Sequence, residues 1–515
     1  MLLPSAPETG AAPSRQFRKT ESRSFAHAVK WAYSANWGER AFSALFSFVL
    51  AFLLGPRDFG IASLALIYIT FIQMFLDQGL VAALIQRKAI CTEHLNTVFC
   101  TNVGLGLFLV LPGILVSRWW ARVNHVSELA SIIAVLTLCI PIEGLSIVQK
   151  ALLQREMDFK SLSIRGNVSA LSGGVAGIAL AYMGCGVWSL VGQQIVRDFT
   201  ALLLLWKLSP WRPSLAFSLP HLKELLGFSF SNFGAQLAIF ADQQSGAIVL
   251  GIFVGPAAVG LYRLAERLMN TILVTATSSI QSVSLPEFSR LQDDKAGLRK
   301  SVLLCLRLSS MLTLPALAGL ASISAPLLAL IGPSWAPASD ALQILCALGM
   351  LLTFTYFTGP VLQALARPHH LAALEWGRVV VGTALLLVVS ALLRTSSTGH
   401  QVAGIALARF ATAALVIAPL FLGLLLTICG IRLREFAKSV MPGLIAAAGV
   451  LAAVYAVGHV GPHMEKPPLT LAIDILVGGI VAAALLLSAD YGLRKSISNL
   501  LRAFWADQRV AKQVV

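Results

Sequence analysis

The chain has 515 residues, of which 57% are apolar and only 12% are charged. Soluble domains carry about 25% charged residues, so soluble enzymes, collagen-like proteins and disordered proteins are excluded, and the composition predicts an all-α protein that crosses a membrane many times. The net charge of +15 would favour nucleic-acid binding in a soluble chain, but in a membrane protein its placement decides its meaning.

Apolar runs bounded by glycine, proline and charge predict fourteen membrane-spanning helices, because a helix needs about 20 residues to cross the hydrocarbon. In chain order they cover residues 33–54, 59–84, 95–116, 129–149, 166–183, 186–206, 225–252, 257–286, 301–330, 340–365, 371–393, 401–429, 439–459 and 469–489. The predicted division is a basic N-terminal segment (1–30), a six-helix N-lobe (31–208), an interlobe linker (209–224), a six-helix C-lobe (225–430), two further helices (431–490) and a basic tail (491–515).

The basic residues are distributed unequally between the two sides of the predicted membrane. Of the 39 lysines and arginines, 27 fall on the side of the termini, 5 on the opposite side and 7 inside the helices. Cytoplasmic loops are enriched in lysine and arginine, so we expect both termini in the cytoplasm. The first 23 residues lack the short apolar core of a cleaved signal peptide. The net charge is therefore a topological signal, and we predict no nucleic-acid partner.

Two segments 200 residues apart resemble each other: Leu54-Gly55-Pro56-Arg57-Asp58-Phe59-Gly60 and Val254-Gly255-Pro256-Ala257-Ala258-Val259-Gly260. Each closes one predicted helix and opens the next on the same side of the membrane, so the repeat is parallel. Such a repeat predicts two lobes related by an axis along the membrane normal, with a transport site between them near the midplane. The alternative is that Gly-Pro is simply a common turn.

Charged residues also lie inside the predicted helices, where each costs at least ~2.5 kcal/mol unless it faces a protein interior or a water-filled cavity. The arginines are Arg40, Arg197, Arg263, Arg267, Arg307, Arg378 and Arg409, and the acids are Glu39, Asp77, Glu143, Asp198, Asp242, Glu266, Glu375 and Asp474. Because the arginine fork binds two phosphate oxygens at once, this pattern predicts a cavity for a large polyanionic group.

Arg263 and Arg267 are one helical turn apart near the predicted midplane, so they lead the candidate binding residues. The full set for a diphosphate and its glycan is Arg263, Arg267, Arg197, Arg409, Arg40, Arg378, Asn232, Gln236 and Gln243. The alternative is structural: sequence neighbours such as Glu39 and Arg40, Asp198 and Arg197, Glu266 and Arg267, or Glu375 and Arg378 would pair and lock helices together, and the amides would hydrogen-bond adjacent helices.

Carboxylates facing a cavity can titrate or hold a cation, so Asp242, Glu266 and Asp198 are candidates for coupling transport to H⁺ or Na⁺. The sequence contains no GxxxxGK[ST] phosphate loop, no HExxH or GxSxG motif and no Cys/His metal pattern. We therefore predict no catalytic residue, no cofactor and no metal site, and we favour transport over catalysis.

Five segments in order carry a family resemblance: Leu54 to Gly60, Gly79 to Lys88, Leu153 to Lys160, Gly186 to Val191, and Leu285 to Asp294. The chain resembles, from about residue 25 to about 430, the bacterial polysaccharide transporters of the multidrug/oligosaccharidyl-lipid/polysaccharide (MOP) flippase superfamily. The most similar subgroup is the colanic-acid exporter type of Wzx-like flippases.

The resemblance implies a MATE-like fold and alternating access in a bacterial inner membrane. The implied substrate is an undecaprenyl-diphosphate-linked oligosaccharide repeat unit for exopolysaccharide, capsule or lipopolysaccharide O-antigen. Implied partners are glycosyltransferases and a polysaccharide polymerase, and the last two helices would form a groove for the lipid tail. Three alternatives stay open: a cation-coupled drug exporter of the same superfamily, an envelope glycan-processing enzyme, and an assembly scaffold.

Overall fold

A computed structural model describes residues 38–77, 84, 90–156, 158–214, 216–365, 368–460 and 467–489. Every regular element in these residues is helical, which confirms the all-α prediction. The N-lobe contains α1 (38–53), α2 (Pro56–Asp77), α3 (Thr92–Val123), α4 (Glu128–Leu136), α5 (Cys139–Arg155), α6 (Phe159–Tyr182) and α7 (Trp188–Leu208). Together α4 and α5 form the fourth predicted span.

The C-lobe begins with two 35-residue helices, α8 (Leu219–Phe253) and α9 (Pro256–Arg290). It continues through α10 (Lys295–Ser322), α11 (Ser324–Ile331), a 3₁₀ turn (Pro333–Ala338), α12 (Ser339–Thr355), α13 (Thr358–Ala364), α14 (Pro368–Leu392), α15 (Thr398–Thr412), a π-helical turn (Ala413–Ile417) and α16 (Ala418–Cys429). Two further helices, α17 (Leu433–Val460) and α18 (Pro467–Ala489), pack on the C-lobe through α10.

Nine helical stretches among the described residues are long and apolar enough to cross a membrane by length and composition. The fourteen passes therefore stay a prediction, although helix is described within each of the fourteen predicted ranges. The described parts of α7 and α9 are not among the nine, because Arg197, Asp198, Arg263 and Arg267 dilute their apolar sequence. Apolar side chains are nonetheless exposed in rows, such as Phe108 and Leu111 on α3 at 71% and 65%, as expected of a lipid-facing surface.

The two Gly-Pro segments contact each other where the two lobes meet, at one end of the helices. A methyl group on Gly60 of α2 would overlap the carbonyl oxygen of Pro256, and one on Gly260 of α9 would overlap that of Pro56. This reciprocal contact is what a two-fold axis between equivalent helices produces, so it supports the predicted parallel repeat. Gly255 has a φ of 119°, which only glycine adopts readily, and Pro256 then opens α9.

Among the described residues, one large cluster of buried apolar side chains joins the two lobes, and it includes the residues around both Gly-Pro segments. There Trp335 is 1% exposed, its Nε1 donates to the Ala51 carbonyl oxygen at 2.9 Å, and its ring meets Phe59 edge-on at 5.4 Å. Towards the other end the described core divides into an N-lobe cluster around Val98 and Val148 and a separate C-lobe cluster around Phe288 and Phe357. The lobes are thus joined by buried apolar contacts at the Gly-Pro end, whereas the buried clusters at the far ends of α5 and α9 each belong to one lobe.

Several predicted boundaries are wrong because helices continue beyond their apolar stretches. α6 begins at Phe159 rather than 166, since the Asp158 carboxylate caps it by accepting the Ser161 N–H at 3.1 Å. α5 extends to Arg155, and α8 begins at Leu219 inside the predicted linker. As a result Lys150 and Arg165, which were predicted to lie in cytoplasmic loops, sit on helices within the N-lobe.

Candidate functional site

The C-lobe holds a closed cluster of charges around Asp242 of α8. The Asp242 carboxylate accepts from Arg378 of α14 at 2.8 Å and from Arg409 of α15 at 3.2 Å. Arg409 also donates to the Asp242 carbonyl oxygen at 2.9 Å. These three side chains are 11% to 18% exposed, and the space beside them is only about 10 Å³, which is barely one water molecule. We call this group the Asp242 cluster.

A second C-lobe pair lies on α9 beside the Asp242 cluster. Arg263 donates to the Glu266 carboxylate at 2.6 Å and contacts the Gln244 side-chain oxygen. The Tyr262 hydroxyl donates to the other Glu266 oxygen at 3.3 Å. With Glu375, 3.7 Å from Arg378, three C-lobe arginines are balanced by three acids. Arg263, Arg378 and Arg409 are therefore committed to carboxylates in this conformation, as are Asp242 and Glu266 to arginines.

The N-lobe arginine Arg197 pairs across helices rather than along its own. Its Nη2 donates to the Glu39 carboxylate of α1 at 2.7 Å, and both side chains are about a third exposed. The neighbour pairs considered from the sequence, Arg197 with Asp198 and Arg267 with Glu266, do not form among the described residues. The reason is geometric, because consecutive helical residues point about 100° apart whereas residues i and i+3 share a face.

Beside Arg197 the N-lobe contains a polar cavity of about 500 Å³, which is open on one side and lies between α2, α5, α6 and α7. Its charged lining residues are Glu143, Lys150, Arg165, Arg197 and Asp198, with Gln73, Gln154 and Gln194 as amides. Lys150 and Arg165 were absent from the predicted site because the predicted spans ended at 149 and began at 166, whereas Glu143 was predicted to lie inside a helix but was not assigned to the site. The Asp158 cap, an aspartate just before the helix, was the signal that could have placed Arg165 correctly.

Asp198 faces this cavity with amide partners. Gln194, one turn earlier on α7, donates to its two carboxylate oxygens at 3.0 and 2.9 Å. Among the described residues no lysine or arginine lies within ion-pair distance of Asp198. Of the three predicted coupling carboxylates, Asp198 alone lines a cavity large enough for a hydrated ion.

Arg267 is the arginine that bridges the two lobes. From α9 in the C-lobe, its guanidinium donates to the Ser43 hydroxyl at 2.9 Å and the Ser43 carbonyl oxygen at 3.2 Å on α1 of the N-lobe. It is exposed, and within the described chain no carboxylate lies at ion-pair distance from it. Arg267 thus lies at the interlobe cleft, the region between the two lobes, and the arginine of the N-lobe near it, Arg197, is paired with Glu39.

The α8 amides divide by helical face. Gln236 and Gln243 are exposed and share a face with Phe240, whose ring lies 5.8 Å from Phe71 of α2. That face points to the N-lobe across the cleft, whereas Asp242 points the opposite way into the C-lobe. The Asn232 side chain lies outside the described residues. Arg40 is half-buried on α1, three residues before Ser43.

Small residues on α6 hold Arg197 in place. A Cβ on Gly173 would lie 2.8 Å from both the Arg197 Cβ and the Gln193 carbonyl oxygen of α7, and a Cβ on Gly174 would overlap the Phe46 ring of α1. Glycines at these positions let α1, α6 and α7 approach closely. This packing sets the distance between Arg197 and Glu39.

The chain is similar to bacterial proteins that are named for polysaccharide transport or polysaccharide biosynthesis. A succinoglycan biosynthesis transport protein of Rhizobium meliloti is 26% identical over 489 residues, which is 92% of this chain and 95% of the relative. A teichuronic acid biosynthesis protein of Bacillus subtilis is 26% identical over 430 residues, covering 81% and 86%. A lipopolysaccharide biosynthesis protein of Escherichia coli is 26% identical over 322 residues, covering 62% and 65%.

Solved structures share the fold. The lipid II flippase MurJ in an inward closed conformation superimposes with a TM-score of 0.65 at 14% identity, covering 88% of this chain and 97% of MurJ. An inward-facing multidrug-resistance MATE transporter of the MOP superfamily superimposes with a TM-score of 0.62 at 16% identity, covering 76% and 95%. Residues 49–340, more than half of the chain, match the polysaccharide biosynthesis protein family. The protein is thus a multi-pass helical membrane protein with the MOP superfamily fold, and it belongs to the polysaccharide biosynthesis protein family.

Proposed function

We propose that this protein is a flippase that moves undecaprenyl-diphosphate-linked oligosaccharide units across the bacterial inner membrane by alternating access. It would act after the glycosyltransferases that build the unit and before the polymerase that joins units. The relatives named for succinoglycan transport and for teichuronic acid and lipopolysaccharide biosynthesis support this role.

The observation that carries the proposal is Arg267. An exposed arginine without a carboxylate partner among the described residues keeps its binding capacity for a ligand. A diphosphate offers paired oxygens to the guanidinium fork, and Arg197, which is paired with Glu39 in this conformation, lies near Arg267 in the opposite lobe. Gln236 and Gln243, exposed on the same cleft, supply amide donors and acceptors for sugar hydroxyls.

Charge sets the direction of loading in this proposal. The excess of lysine and arginine on the terminal side supports a cytoplasmic location for both termini. The Gly-Pro end would then face the periplasm, and the end at which the buried clusters of the two lobes are separate would face the cytoplasm. The cleft is in position to receive a lipid-linked glycan from the side where it is synthesised.

A cationic cleft also argues against the drug-exporter alternative. Exporters of organic cations need acidic and aromatic surfaces, whereas Arg267, which has no carboxylate partner among the described residues, would repel a positive ligand by direct Coulomb interaction. The C-lobe acids Asp242 and Glu266 are paired with Arg378, Arg409 and Arg263 and so offer no free negative charge to such a ligand in this conformation.

For ion coupling we propose Asp198. It lines the N-lobe cavity beside Glu143, and its hydrogen-bond partners among the described side chains are the Gln194 amide and the Cys139 thiol, both uncharged. Such a carboxylate can take up a proton or a sodium ion without breaking an ion pair. Asp198→Asn should make flipping insensitive to the proton or sodium gradient, and unchanged gradient dependence would refute this assignment.

The flippase proposal is tested in proteoliposomes that carry a lipid-diphosphate oligosaccharide with a fluorescent sugar. Flipping is followed by the loss of fluorescence to an impermeant quencher, with protein-free liposomes and an organic-cation uptake assay in parallel. Protein-dependent flipping without cation uptake is expected. Cation uptake without lipid flipping would contradict the proposal and favour the drug exporter.

A further inference from the structure

The start of α8 is fastened to the start of α3 at the terminal end of the molecule. The Asn96 amide donates to the Ser214 hydroxyl at 2.6 Å and its oxygen accepts the Ser214 N–H at 3.0 Å. The Ser218 N–H donates to the Thr97 hydroxyl at 3.1 Å. The linker from the N-lobe therefore folds back on its own lobe before α8 enters the C-lobe.

Three metal-ligating side chains come together at this junction. Cys91 precedes α3, His94 lies in its first turn, and His221 lies in the first turn of α8. Their candidate ligand atoms all lie within 4.8 Å of one another. The Cys91 Sγ is 2.7 Å from the His94 Nδ1, and the two imidazole rings meet edge-on at 4.4 Å. We call these residues the Cys91 cluster.

We propose that the Cys91 cluster is a binding site for a thiophilic transition-metal ion of the Zn²⁺ type, which fastens α8 to α3. One thiolate and two imidazoles are the donors that zinc prefers, whereas magnesium and calcium require oxygen ligands. No sequence motif announces the site, because His221 is 130 residues beyond Cys91.

The surroundings of the three ligands favour metal binding. The Ser218 hydroxyl lies 2.6 Å from the His221 Nδ1 and orients that ring with Nε2 as the remaining ligand atom, as outer partners do in known metal sites. The Glu93 carboxylate is within hydrogen-bond reach of the Cys91 thiol, so its oxygen can supply a fourth ligand.

The position of the cluster gives the ion a mechanical consequence. His221 belongs to the first helix of the C-lobe, and Cys91 and His94 belong to the N-lobe. Alternating access requires the lobes to rock against each other. A bound ion adds a cross-link at the linker and stabilises the conformation in which α8 lies against α3.

The proposal is tested with the full-length detergent-purified protein, carrying a tag without histidine, titrated with Co²⁺ as an optical substitute for Zn²⁺. A thiolate-to-cobalt charge-transfer band that saturates at one ion per chain is expected, together with a rise in Tm. Cys91→Ser should abolish the band, and His221→Gln should weaken binding at least about 10-fold.

Cys185→Ser is the matched control, because Cys185 is also a free cysteine but lies in the loop between α6 and α7, near the Gly-Pro end. It should bind Co²⁺ like the wild type. Absence of a thiolate band in the wild type, or equal Co²⁺ binding by the wild type and Cys91→Ser, would overturn the proposal.

Discussion

Both lobes contain arginines and acids inside their helices, but these residues are packed together in the C-lobe and line an open cavity in the N-lobe. In the C-lobe, Asp242, Arg378 and Arg409 fill a closed cluster with about 10 Å³ of free space. In the N-lobe, Lys150, Arg165, Arg197, Glu143 and Asp198 line an open cavity of about 500 Å³. The closed cluster has no room for a ligand, whereas the open cavity admits water and ions.

The presence of a charged residue inside the membrane therefore does not by itself identify a binding residue. A buried charge that forms an ion pair stabilises helix packing. An exposed arginine without a carboxylate partner is available to bind a ligand. Arg267 is of the second kind although it shares α9 with Arg263, which is of the first kind. The following variants separate the two kinds.

Asp242→Asn should have the largest effect on stability. It leaves the cations of Arg378 and Arg409 buried without their carboxylate, and breaking one side of a buried ion pair costs about 3–5 kcal/mol. We expect a much lower Tm in detergent and low membrane abundance. Asp198→Asn is the matched control, and its Tm and membrane abundance should stay near those of the wild type. Similar losses in the two variants would contradict the difference between the lobes.

Arg267→Ala should impair flipping while leaving membrane abundance normal. Loss of a hydrogen-bonded contact to a charged group costs about 1.5–3 kcal/mol, equivalent to about 10- to 100-fold in rate. Arg378→Ala should instead lower abundance and Tm. Flipping per molecule at the wild-type rate by Arg267→Ala would remove Arg267 from the site, and partial activity of Arg267→Lys would show that charge without the planar fork is insufficient.

Gly173→Ala should displace α7 and move Arg197 away from Glu39. The added methyl group would lie 2.8 Å from the Gln193 carbonyl oxygen, and overpacking of this kind costs about 1–3 kcal/mol. We expect a moderately lower Tm and slower flipping. Gly104→Ala on α3 is the control, because its Cβ would meet nothing within 4 Å. Equal behaviour of the two variants would contradict the role of this packing.

Arg299→Ala should have the smallest effect. Arg299 of α10 pairs with Glu435 of α17, and both side chains are about a third exposed. Exposed pairs contribute about 0–1 kcal/mol, so Tm should fall slightly and flipping should be unchanged. A loss as large as that of Asp242→Asn would show that the attachment of α17 depends on this pair.

The fold was predictable from the sequence because its signals are local. The apolar runs correspond to helices, and the repeated Gly-Pro turns contact each other in the structure. The family and the MOP fold are confirmed. Helix boundaries were less predictable, because an apolar stretch stops at the first charged residues whereas the helix continues through them. α6 shows this, since Asp158 starts it seven residues before its predicted apolar span.

The site was predictable in composition but not in pairing. The predicted set contains Arg267, Arg197, Gln236 and Gln243, which lie at the cleft, but also Arg378 and Arg409, which lie in the Asp242 cluster. The sequence could not separate them, because Asp242 meets Arg409 only when helices 167 residues apart pack together. Their roles in binding stay predictions, and so does that of Arg40.

The most direct measurement is the Kd of undecaprenyl diphosphate for the wild type and for Arg267→Ala, determined by native mass spectrometry of the detergent-purified proteins. If Arg267 holds the diphosphate, the variant should bind at least about 10-fold more weakly, as expected for the loss of a charged hydrogen bond. Equal Kd values for the two proteins would contradict the assignment of the cleft as the diphosphate site.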